Sequence, residues 1–408
     1  MFVSKSLYNL SLQLYYLIAL LISPFNKKAS LWVEGRNIPI PKIEGESIWF
    51  HCASLGEFEQ ARPLLEQIKI DYPRYKIVLS FYSPSGYEIR KNYKQADYVF
   101  YLPLDSKKNA QDFINKINPK AVFFIKYEFW FHYLNELNNE NIPSFLVSGI
   151  FREHQIFFKW HGILFKTMLK NFKHIFVQDD NSLQLLKSIK INHSSIAEDS
   201  RFDRVIDIKN DAKDLPKIQN FVQNKKCIIL GSSWLVDDKM FAQLLEELNE
   251  YKIIIAPHDI NKFRIKEVSE LFKESVLYSE VKEKDDSKQV LIIDNMGMLS
   301  SIYRYATIAY IGGGFGVSIH NILEAAVYSI PVIFGPAHTK MKEASDLITN
   351  GGAFCVNNLS ELRTILKKLD NNFHLQKSAE TAGLYVHNNT GGTKKVLSFL
   401  INEKILKK

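Results

Sequence analysis

The chain has 408 residues, 46% of them hydrophobic, which is more than one ordinary domain uses and suggests two domains. Its formal net charge of +8 allows an anionic substrate or membrane, but no RNA-binding aromatic motif, helix-turn-helix spacing or zinc finger supports nucleic acid as a partner. The three widely separated cysteines predict neither a disulfide framework nor a zinc site, so a reducing cytoplasm fits best.

The first predicted element is an apolar helix over residues 7–25, which carries no charge and is followed at once by Lys27 and Lys28. Its length is at the lower limit for spanning a bilayer, and three polar side chains weaken it. A monotopic anchor, a full span, a signal peptide and a buried core helix therefore stay open. If the helix reaches a bilayer, the two lysines keep the remaining chain on the cytoplasmic face.

Apolar β-branched or aromatic runs then alternate with amphipathic stretches, which predicts βα units around parallel sheets. A first series of strand candidates covers 46–54, 76–83, 98–103, 121–128, 144–150 and 174–179. A second series covers 226–233, 251–258, 290–295, 307–314, 331–336 and 352–356. The polar, strand-poor stretch 204–226 separates the two series and is interpreted as a linker.

This alternation predicts an α/β fold with two Rossmann-like parallel-sheet domains that face a cleft. The predicted parts are an anchor helix over 1–28, an N-terminal domain over 29–205, a linker over 206–225, a C-terminal domain over 226–385, and a C-terminal helix over 386–408 that packs back on the N-terminal domain. Because ligands of such sheets bind at the carboxyl ends of the strands, functional residues are expected directly after strands.

Two turns of small residues follow the first two strand candidates. "HCASLGE" (51–57) contains Ser54, Gly56 and Glu57, and "YSPSGYE" (82–88) contains Ser85. Each turn leads into a helix whose first backbone N–H groups can meet an anion. Packing of strand against helix is the more frequent reason for such turns.

The segment "GGGFGVSIHNILEAA" (312–326) is the strongest candidate for a ligand site. Gly313 and Gly314 let the backbone approach a ligand, and a helix beginning near His320 or Asn321 offers N–H groups to a phosphate. Glu324 could accept hydrogen bonds from both hydroxyls of a ribose. The segment lacks a Walker lysine and a G-x-G-x-x-G motif, which disfavours an ATPase or a dinucleotide dehydrogenase.

An ordered set of motifs resembles the 3-deoxy-D-manno-octulosonic acid (Kdo) transferases. Besides the two small-residue turns and the glycine-rich segment, the motifs are "LWVEGR" (31–36), "KYEFW" (126–130), "SRFD" (200–203), "APHDINKF" (256–263) and "NMGMLSSIYRYA" (295–306). The resemblance implies a GT-B glycosyltransferase of family 30, with an N-terminal acceptor domain and a C-terminal CMP-sugar domain. It further implies inverting transfer of Kdo from CMP-Kdo to a tetra-acylated lipid A precursor in lipopolysaccharide core biosynthesis. CMP-Kdo would be the donor substrate, with no cofactor and no metal, and the enzyme would act on the cytoplasmic face of the inner membrane.

The resemblance also implies roles for single residues. Glu34 would be the catalytic base, although this chain reads W-V-E-G-R where relatives often read W-G-E-R. A solvated glutamate is the alternative, with Glu44, Glu46 and Glu57 as further candidates. The donor-side residues would be Arg201, which stands at a family lysine, and His258, Gly313, Gly314, His320, Asn321 and Glu324. Ile319 and Ile322 depart from the Gly and Pro of relatives.

On the acceptor side or in the cleft, the expected residues are Ser54, Gly56, Glu57, Ser85 and Glu128, with Arg62 as a further candidate. Ordinary ion pairs or packing are the alternatives for these positions. The neighbouring aromatic group, Phe129, Trp130, Phe131 and Tyr133, is interpreted as core or interface rather than as a sugar platform.

Two other functions stay open from the sequence. One is a different GT-B enzyme, either a UDP-sugar transferase or a sugar-nucleotide epimerase, although an epimerase has no need of an apolar N-terminal helix. The other is a non-catalytic membrane-surface relative, which the altered contexts of Glu34 and Asn321 permit. The presence of Glu34, His258, Asn321 and Glu324 together favours an enzyme.

Overall fold

A computed structural model describes residues 2–281 and 288–407 of the chain. The chain divides into two compact units, one of Met1–Arg204 with Thr390–Lys408 and one of Val205–Asn389. The described part of each unit is built around one parallel seven-stranded sheet with helices on both faces. The predicted α/β class with two parallel sheets is therefore confirmed.

The sheet of the first unit has the order β3-β2-β1-β4-β5-β6-β7, and each neighbouring pair is parallel. Its strands are β1 Ser47–Cys52, β2 Lys76–Phe81, β3 Tyr98–Tyr101, β4 Pro119–Ile125, β5 Ser144–Gly149, β6 His174–Val177 and β7 Ser194–Ile196. The direction of strand addition reverses between β1 and β4, so the switch point of this sheet lies there.

The sheet of the second unit has the order β10-β11-β9-β8-β12-β13-β14, again with parallel pairs. Its strands are β8 Lys226–Ser233, β9 Tyr251–Pro257, β10 Ser275–Leu277, β11 Val290–Ile292, β12 Ile308–Ile311, β13 Val332–Phe334 and β14 Ala353–Cys355. Its switch point lies between β8 and β12, in the same place as in the first sheet.

The helices fill the connections between strands. Those of the first half are α1 Phe2–Ile22, α2 Lys27–Gly35, α3 Leu55–Asp71, α4 Pro84–Arg90, α5 Lys107–Ile117, α6 Phe131–Asn139, α7 Ile163–Lys170, α8 Asp180–Ser188 and α9 Arg201–Asn210. Those of the second half are α10 Pro216–Val222, α11 Leu235–Leu244, α12 Lys262–Leu271, α13 Leu299–Ile302, α14 Leu323–Ala326, α15 Lys342–Asn350, α16 Leu359–Asp370, α17 Asn372–Asn388 and α18 Gly392–Asn402. Short 3-10 turns cover Ile156–Phe158, Leu245–Leu248 and Tyr303–Tyr305.

Period-two alternation distributes the strand residues of the first sheet between two cores. On β1, Trp49 packs with Phe124 under one layer of helices. Ile48 and Phe50 face the other layer, which includes Val396 of α18. Because β1 is buried on both faces, its sequence is an almost continuous apolar run, as expected for a central parallel strand.

Two strands were not predicted from the sequence. The three-residue strands β7 ("SSI") and β10 ("SVL") are half-buried at the edges of their sheets. Neither is long or apolar enough to stand out from a loop by periodicity. The stretch interpreted as a linker, 206–225, holds the end of α9 and all of α10.

The apolar N-terminal segment is helical as α1, which ends two residues before Pro24 because proline disfavours helical backbone in the residue that precedes it. The hydroxyl of Tyr8 donates to Asp105 Oδ2 (2.5 Å), and His132 Nε2 lies 2.8 Å from Asn9 Oδ1. These bonds attach α1 to the first unit. Within residues 2–281 and 288–407, no helix combines the length and the apolarity that crossing a bilayer requires.

Candidate active site

The switch point of the first sheet carries a buried imidazole and carboxylate pair. His51 Nε2, on β1, lies 2.8 Å from Glu128 Oε2 beyond β4, and Nδ1 lies 2.8 Å from Ser80 Oγ. The Trp130 indole donates to the same Glu128 oxygen (2.7 Å), and the Trp49 indole donates to Ser80 Oγ (2.7 Å). Since the serine oxygen already accepts from Trp49, its own proton is available for Nδ1, which fits an Nε2–H that donates to Glu128.

Glu57, in the first turn of α3, is the second carboxylate at this edge. It is half-buried and accepts hydrogen bonds from the backbone N–H groups of Ala53 and Ser54. Burial, followed by the negative charge of Glu128, raises the pKa of Glu57 to about 8. A carboxyl group with such a pKa can exchange a proton with a substrate near neutral pH.

At the switch point of the second sheet, three aromatic rings form a cluster. The rings of Trp234 and His258 stack with centroids 4.8 Å apart, and those of His258 and His320 stack at 4.5 Å. The Trp234 indole donates to His320 Nε2 (3.3 Å), so it holds that nitrogen unprotonated. Burial, with a further contribution from His258, lowers the pKa of His320. Trp234 and His258 are exposed, which leaves a flat π surface for a ligand.

The loop after β12 is shaped by contacts within the chain. Gly313 has a φ of +89°, and a Cβ there would lie 2.5 Å from the carbonyl oxygen of Ser318. Its N–H donates to the buried carboxylate of Asp237. A Cβ on Gly314 would lie 2.4 Å from the backbone nitrogen of Gly335. Both glycines are therefore required for the loop to close on its neighbours.

Asn321 and Glu324 are linked, since Asn321 Nδ2 donates to Glu324 Oε1 (3.0 Å) while Asn321 Oδ1 accepts from the backbone N–H of Leu323 (3.1 Å). The expectation of a helix that begins near His320 or Asn321 is wrong. The helix, α14, begins at Leu323 and has four residues, because Gly313 to His320 form a loop whose backbone bonds to Gly312 and Ala337 instead.

Residues 28–204 match the family model described as 3-deoxy-D-manno-octulosonic-acid transferase (kdotransferase). A 3-deoxy-D-manno-octulosonic acid transferase of Rickettsia felis is 28% identical over 359 residues, which cover 84% of this chain and 76% of that protein. A bifunctional glycosyltransferase/methyltransferase of Fusobacterium nucleatum is 26% identical over 80% of this chain, which spans about half (53%) of that relative. The family model and these relatives support the Kdo transferase family for this chain.

Among solved structures, the UDP-GlcNAc 2-epimerase of Neisseria meningitidis bound to UDP-GlcNAc superposes with a TM-score of 0.62 over 88% of this chain and 100% of that one. Its sequence is 15% identical, so the likeness concerns the fold alone. The Kdo transferase relatives support a glycosyltransferase.

Glu34, the base expected from the family motif, lies on the exposed face of α2 and bonds with the Ser30 hydroxyl one turn earlier. The inward face of this motif is formed by Arg36, which donates to the carbonyl oxygens of Trp32 and Tyr82 (both 2.9 Å). The guanidinium carbon lies 3.8 Å from the centroid of the Trp32 ring. Burial lowers the pKa of Arg36 to about 10.

The other candidate glutamates of this region have ordinary surroundings. Glu44 is exposed, and Glu46 pairs with Arg74 at 3.5 Å. Arg62 pairs with Glu66 one turn along α3 (2.8 Å), which is the ordinary ion pair that was the alternative to an acceptor-side role. The exposed pair of Glu46 and Arg74 contributes little to stability.

The small residues of the two turns occupy helix starts. Ser54 precedes α3 without a side-chain capping bond, and Gly56 is exposed with room for a Cβ. Ser85 Oγ lies 2.6 Å from Ser83 Oγ at the start of α4. The N–H groups expected to meet an anion at the first turn are partly used by the chain itself, through Glu57.

The aromatic group after β4 is divided between core and site. Phe131 and Tyr133 are buried in the hydrophobic core, and half-buried Phe129 packs against the same core. Trp130 belongs to the candidate site, because its indole nitrogen donates to Glu128 Oε2 and its ring centroid lies 4.9 Å from that of Tyr82.

Arg201 forms a tight pair with buried Asp199, to which its Nε (2.9 Å) and Nη2 (2.7 Å) donate. Burial acts to raise the pKa of Asp199, but the arginine more than offsets it and the pKa is lowered. The ion-pair partner of Arg201 is therefore Asp199. The nearby Asp203 accepts hydrogen bonds from the backbone N–H groups of Gly391 and Thr393 at the start of α18.

Sequence reasoning missed Trp234 and the roles of His51 and Ser80. Trp234 directly follows β8 in "GSSW", so its position after a central strand was the available signal. No signal in the sequence indicated Ser80, because only the pairing of β1 with β2 brings it opposite His51. The two departures in the glycine-rich segment, Ile319 and Ile322, are buried and serve the core of the second unit.

Proposed function

We propose that the protein transfers Kdo from CMP-Kdo to a tetra-acylated lipid A precursor with inversion at the anomeric carbon. The observation that carries the proposal is the match of residues 28–204 to the Kdo transferase family model. This segment contains the carboxylate cluster, which consists of Glu57, Glu128 and the imidazole of His51. The wider set of relatives supports Kdo transfer in lipopolysaccharide biosynthesis.

In the proposed reaction, Glu57 is the base. Its carboxylate takes the proton of the acceptor hydroxyl while the oxygen forms a bond to the anomeric carbon of Kdo. The bond from that carbon to the phosphate oxygen breaks at the same time, and CMP leaves as an anion. A pKa of about 8 supports this role, because a base works best when its pKa is near the working pH.

Glu128 and His51 act as positioning residues in this scheme. Glu128 is buried, receives hydrogen bonds from His51 and Trp130, and its charge contributes to the raised pKa of Glu57. Glu34 stays the base expected from the family motif. Its exposure to water and its bond to Ser30 make it the weaker candidate on physical grounds.

The second unit would bind the donor. The exposed rings of Trp234 and His258 offer a stacking surface for the cytosine base, since aromatic stacking suits any base. The linked pair of Asn321 and Glu324 offers a carboxylate for the ribose hydroxyls. We further propose that Arg201, whose guanidinium can pair with an anion, faces the donor phosphate or the Kdo carboxylate, and that no metal or cofactor takes part.

We propose that the enzyme works on the cytoplasmic face of the inner membrane, with α1 as its monotopic contact. This helix exposes large apolar side chains, among them Leu10 (60%) and Leu21 (66%). Lys27 and Lys28 follow it, which suits the anionic lipid surface of the cytoplasmic side.

The experiment is transfer from freshly generated CMP-Kdo to tetra-acylated lipid A precursor in detergent, followed by mass spectrometry of the lipid. A mass gain of one or more Kdo units, unchanged by EDTA, is expected. UDP-GlcNAc as the sugar nucleotide, with and without the lipid, is the matched donor control. Product from UDP-GlcNAc, or no reaction and no CMP binding, would overturn the proposal in favour of another GT-B enzyme or a non-catalytic relative.

A further inference from the structure

The first unit contains a cavity of about 360 Å³ between α1 and α2. One wall is formed by Ile18, Ala19 and Ile22 of α1, and the other by Ala29 and Trp32 of α2. The volume lies within the range of roughly 300–1,000 Å³ that is usual for small-molecule pockets. Because both walls are apolar, the cavity suits the hydrocarbon part of a ligand.

The cavity is continuous with the apolar surface of α1. Tyr15 and Ile18 line it while remaining 48% and 46% exposed, and Leu14 and Leu21 expose a further apolar face of the same helix. At the rim, Lys28 contributes a positive charge. An apolar slot that opens on an apolar helix with a cation at its edge matches an acyl chain that bears an anionic head group.

Trp32 adds a polar requirement inside this apolar site. The residue is 4% exposed, and among the residues that the structure describes its indole nitrogen has no hydrogen-bond acceptor. A buried donor without an acceptor is costly, so its position next to a cavity points to a ligand oxygen. The carbonyl oxygen at the head end of an ester- or amide-linked acyl chain would supply it.

The floor of the cavity leads to the carboxylate cluster. Tyr82 lines the cavity, and its ring lies 5.7 Å from the Trp32 ring and 4.9 Å from the Trp130 ring. Trp130 in turn donates to Glu128. The head end of a chain held in the cavity is therefore connected, through the rings of Tyr82 and Trp130, to Glu128, a positioning residue of the proposed site.

From these four observations we infer that the cavity between α1 and α2 binds one acyl chain of the lipid acceptor, with the carbonyl group of that chain on Trp32. The inference rests on the proposed function for the identity of the acceptor. It makes this site the part of the enzyme that distinguishes an acylated sugar from a water-soluble one. The remaining chains of the acceptor stay in the membrane.

Fluorescence quenching tests the inference without depending on turnover. The protein is placed in phosphatidylcholine nanodiscs with an acceptor whose acyl chains carry bromine atoms, and the emission of Trp32 is taken as the difference between the wild type and Trp32→Phe. Strong quenching of this difference is expected. The Ala19→Phe variant occupies part of the cavity and should weaken the quenching, whereas Leu21→Phe, two residues along the same helix but outside the cavity, should keep it.

A second arm identifies the source of the chain. It uses brominated phosphatidylcholine with no acceptor, at the same number of brominated chains. Equal quenching in this arm would show that bulk lipid occupies the cavity and would overturn the inference. Kdo transfer measured in the same nanodiscs separates the two proposals, because transfer without Trp32 quenching refutes the chain site alone, while absence of transfer by the wild type refutes the proposed function.

Kinetics provide a third readout. Ala19→Phe should lower kcat/KM for the tetra-acylated acceptor roughly tenfold relative to Leu21→Phe, because it displaces about two methylenes from the cavity. With a fully de-acylated acceptor the two variants should be equal. Equal loss on both acceptors would show that the substitution damages the enzyme generally, and the inference would fail.

Discussion

The two switch points have the same topology and opposite chemistry. Between β1 and β4, His51 and Glu128 are buried and fully engaged, and Glu57 is half-buried beside them. Between β8 and β12, the rings of Trp234 and His258 are exposed and stack on each other. Under the proposed function, one edge handles a proton and the other offers a surface on which a ligand can lie.

This difference in burial follows from the residues that lie at and just after the ends of β1 and β8. Near the end of β1, His51 is enclosed by the neighbouring strands β2 and β4, and Glu57 follows on α3, where burial and the charge of Glu128 raise its pKa. β8 is followed by Trp234, the N-cap residue of α11, whose aromatic ring is exposed. Under the proposed function, the same fold supports base chemistry at the more buried edge and ligand recognition at the more exposed one.

The largest expected effect is on catalysis. Glu57→Gln keeps the shape of the side chain and removes the base, so kcat should fall by about 10²- to 10⁴-fold, while the Kd for CMP stays unchanged. Transfer assays and calorimetric CMP titrations measure the two. Glu34→Gln is the matched control on an exposed carboxylate. A large loss with Glu34→Gln and none with Glu57→Gln would return the base to the family motif.

The next effect is expected at the other switch point. Trp234→Ala removes the stacking surface and should raise the Kd for CMP by roughly 5- to 150-fold, corresponding to about 1–3 kcal/mol. Isothermal titration of CMP is the measurement. Phe373→Ala, at an aromatic residue that is 69% exposed on α17 of the same unit, is the control and should leave the Kd unchanged. Equal effects of both substitutions would remove Trp234 from the donor site.

Glu57 should also weaken the fold in a pH-dependent way. Its pKa is about 8 in the folded chain against an ordinary value of 4.5, so the folded state holds the proton more tightly. This favours folding below pH 4.5, and the advantage is lost as the pH rises through 8. Glu57→Gln should therefore raise the free energy of unfolding above pH 8 by about 2 kcal/mol, after allowance for solvent screening, and change little at pH 4.

Thermal midpoints of the wild type and of Glu57→Gln, recorded from pH 4 to pH 9, measure this effect. A gain of a few degrees that grows with pH is expected. A gain that is equal at all pH values would come from packing instead, and it would contradict a buried, raised-pKa carboxyl group at this position.

The smallest effect is expected at Asn321. Its side chain orients Glu324 through a single hydrogen bond of 3.0 Å, and the pair lies at the surface. Asn321→Ala should raise the Kd for CMP by about two- to tenfold, the usual net contribution of one hydrogen bond. Asn357→Ala, at an exposed asparagine of the same unit that bonds to Glu361, is the matched control and should leave CMP affinity unchanged.

The two series of strands and their parallel sheets could be predicted, but the strand order and the state of the individual side chains could not. The long apolar runs of β1 and β8 marked central strands, and the polar residues after them marked the binding edge. The edge strands β7 and β10 lacked such a run. Glu34 and Glu57 have the same chemistry in the sequence, and only packing shows that one is exposed and the other half-buried.

The sequence by itself determined the α/β class, the two series of strands, the family resemblance and the apolar helix at the N-terminus, because these depend on local composition and on the period of the pattern. The tertiary structure alone decided that Ser80 meets His51, that Arg201 pairs with Asp199, and that α1 and α2 enclose a cavity. It also set the pKa of Glu57, since burial and the charge of a residue 71 positions away act through space and leave no periodic mark along the chain.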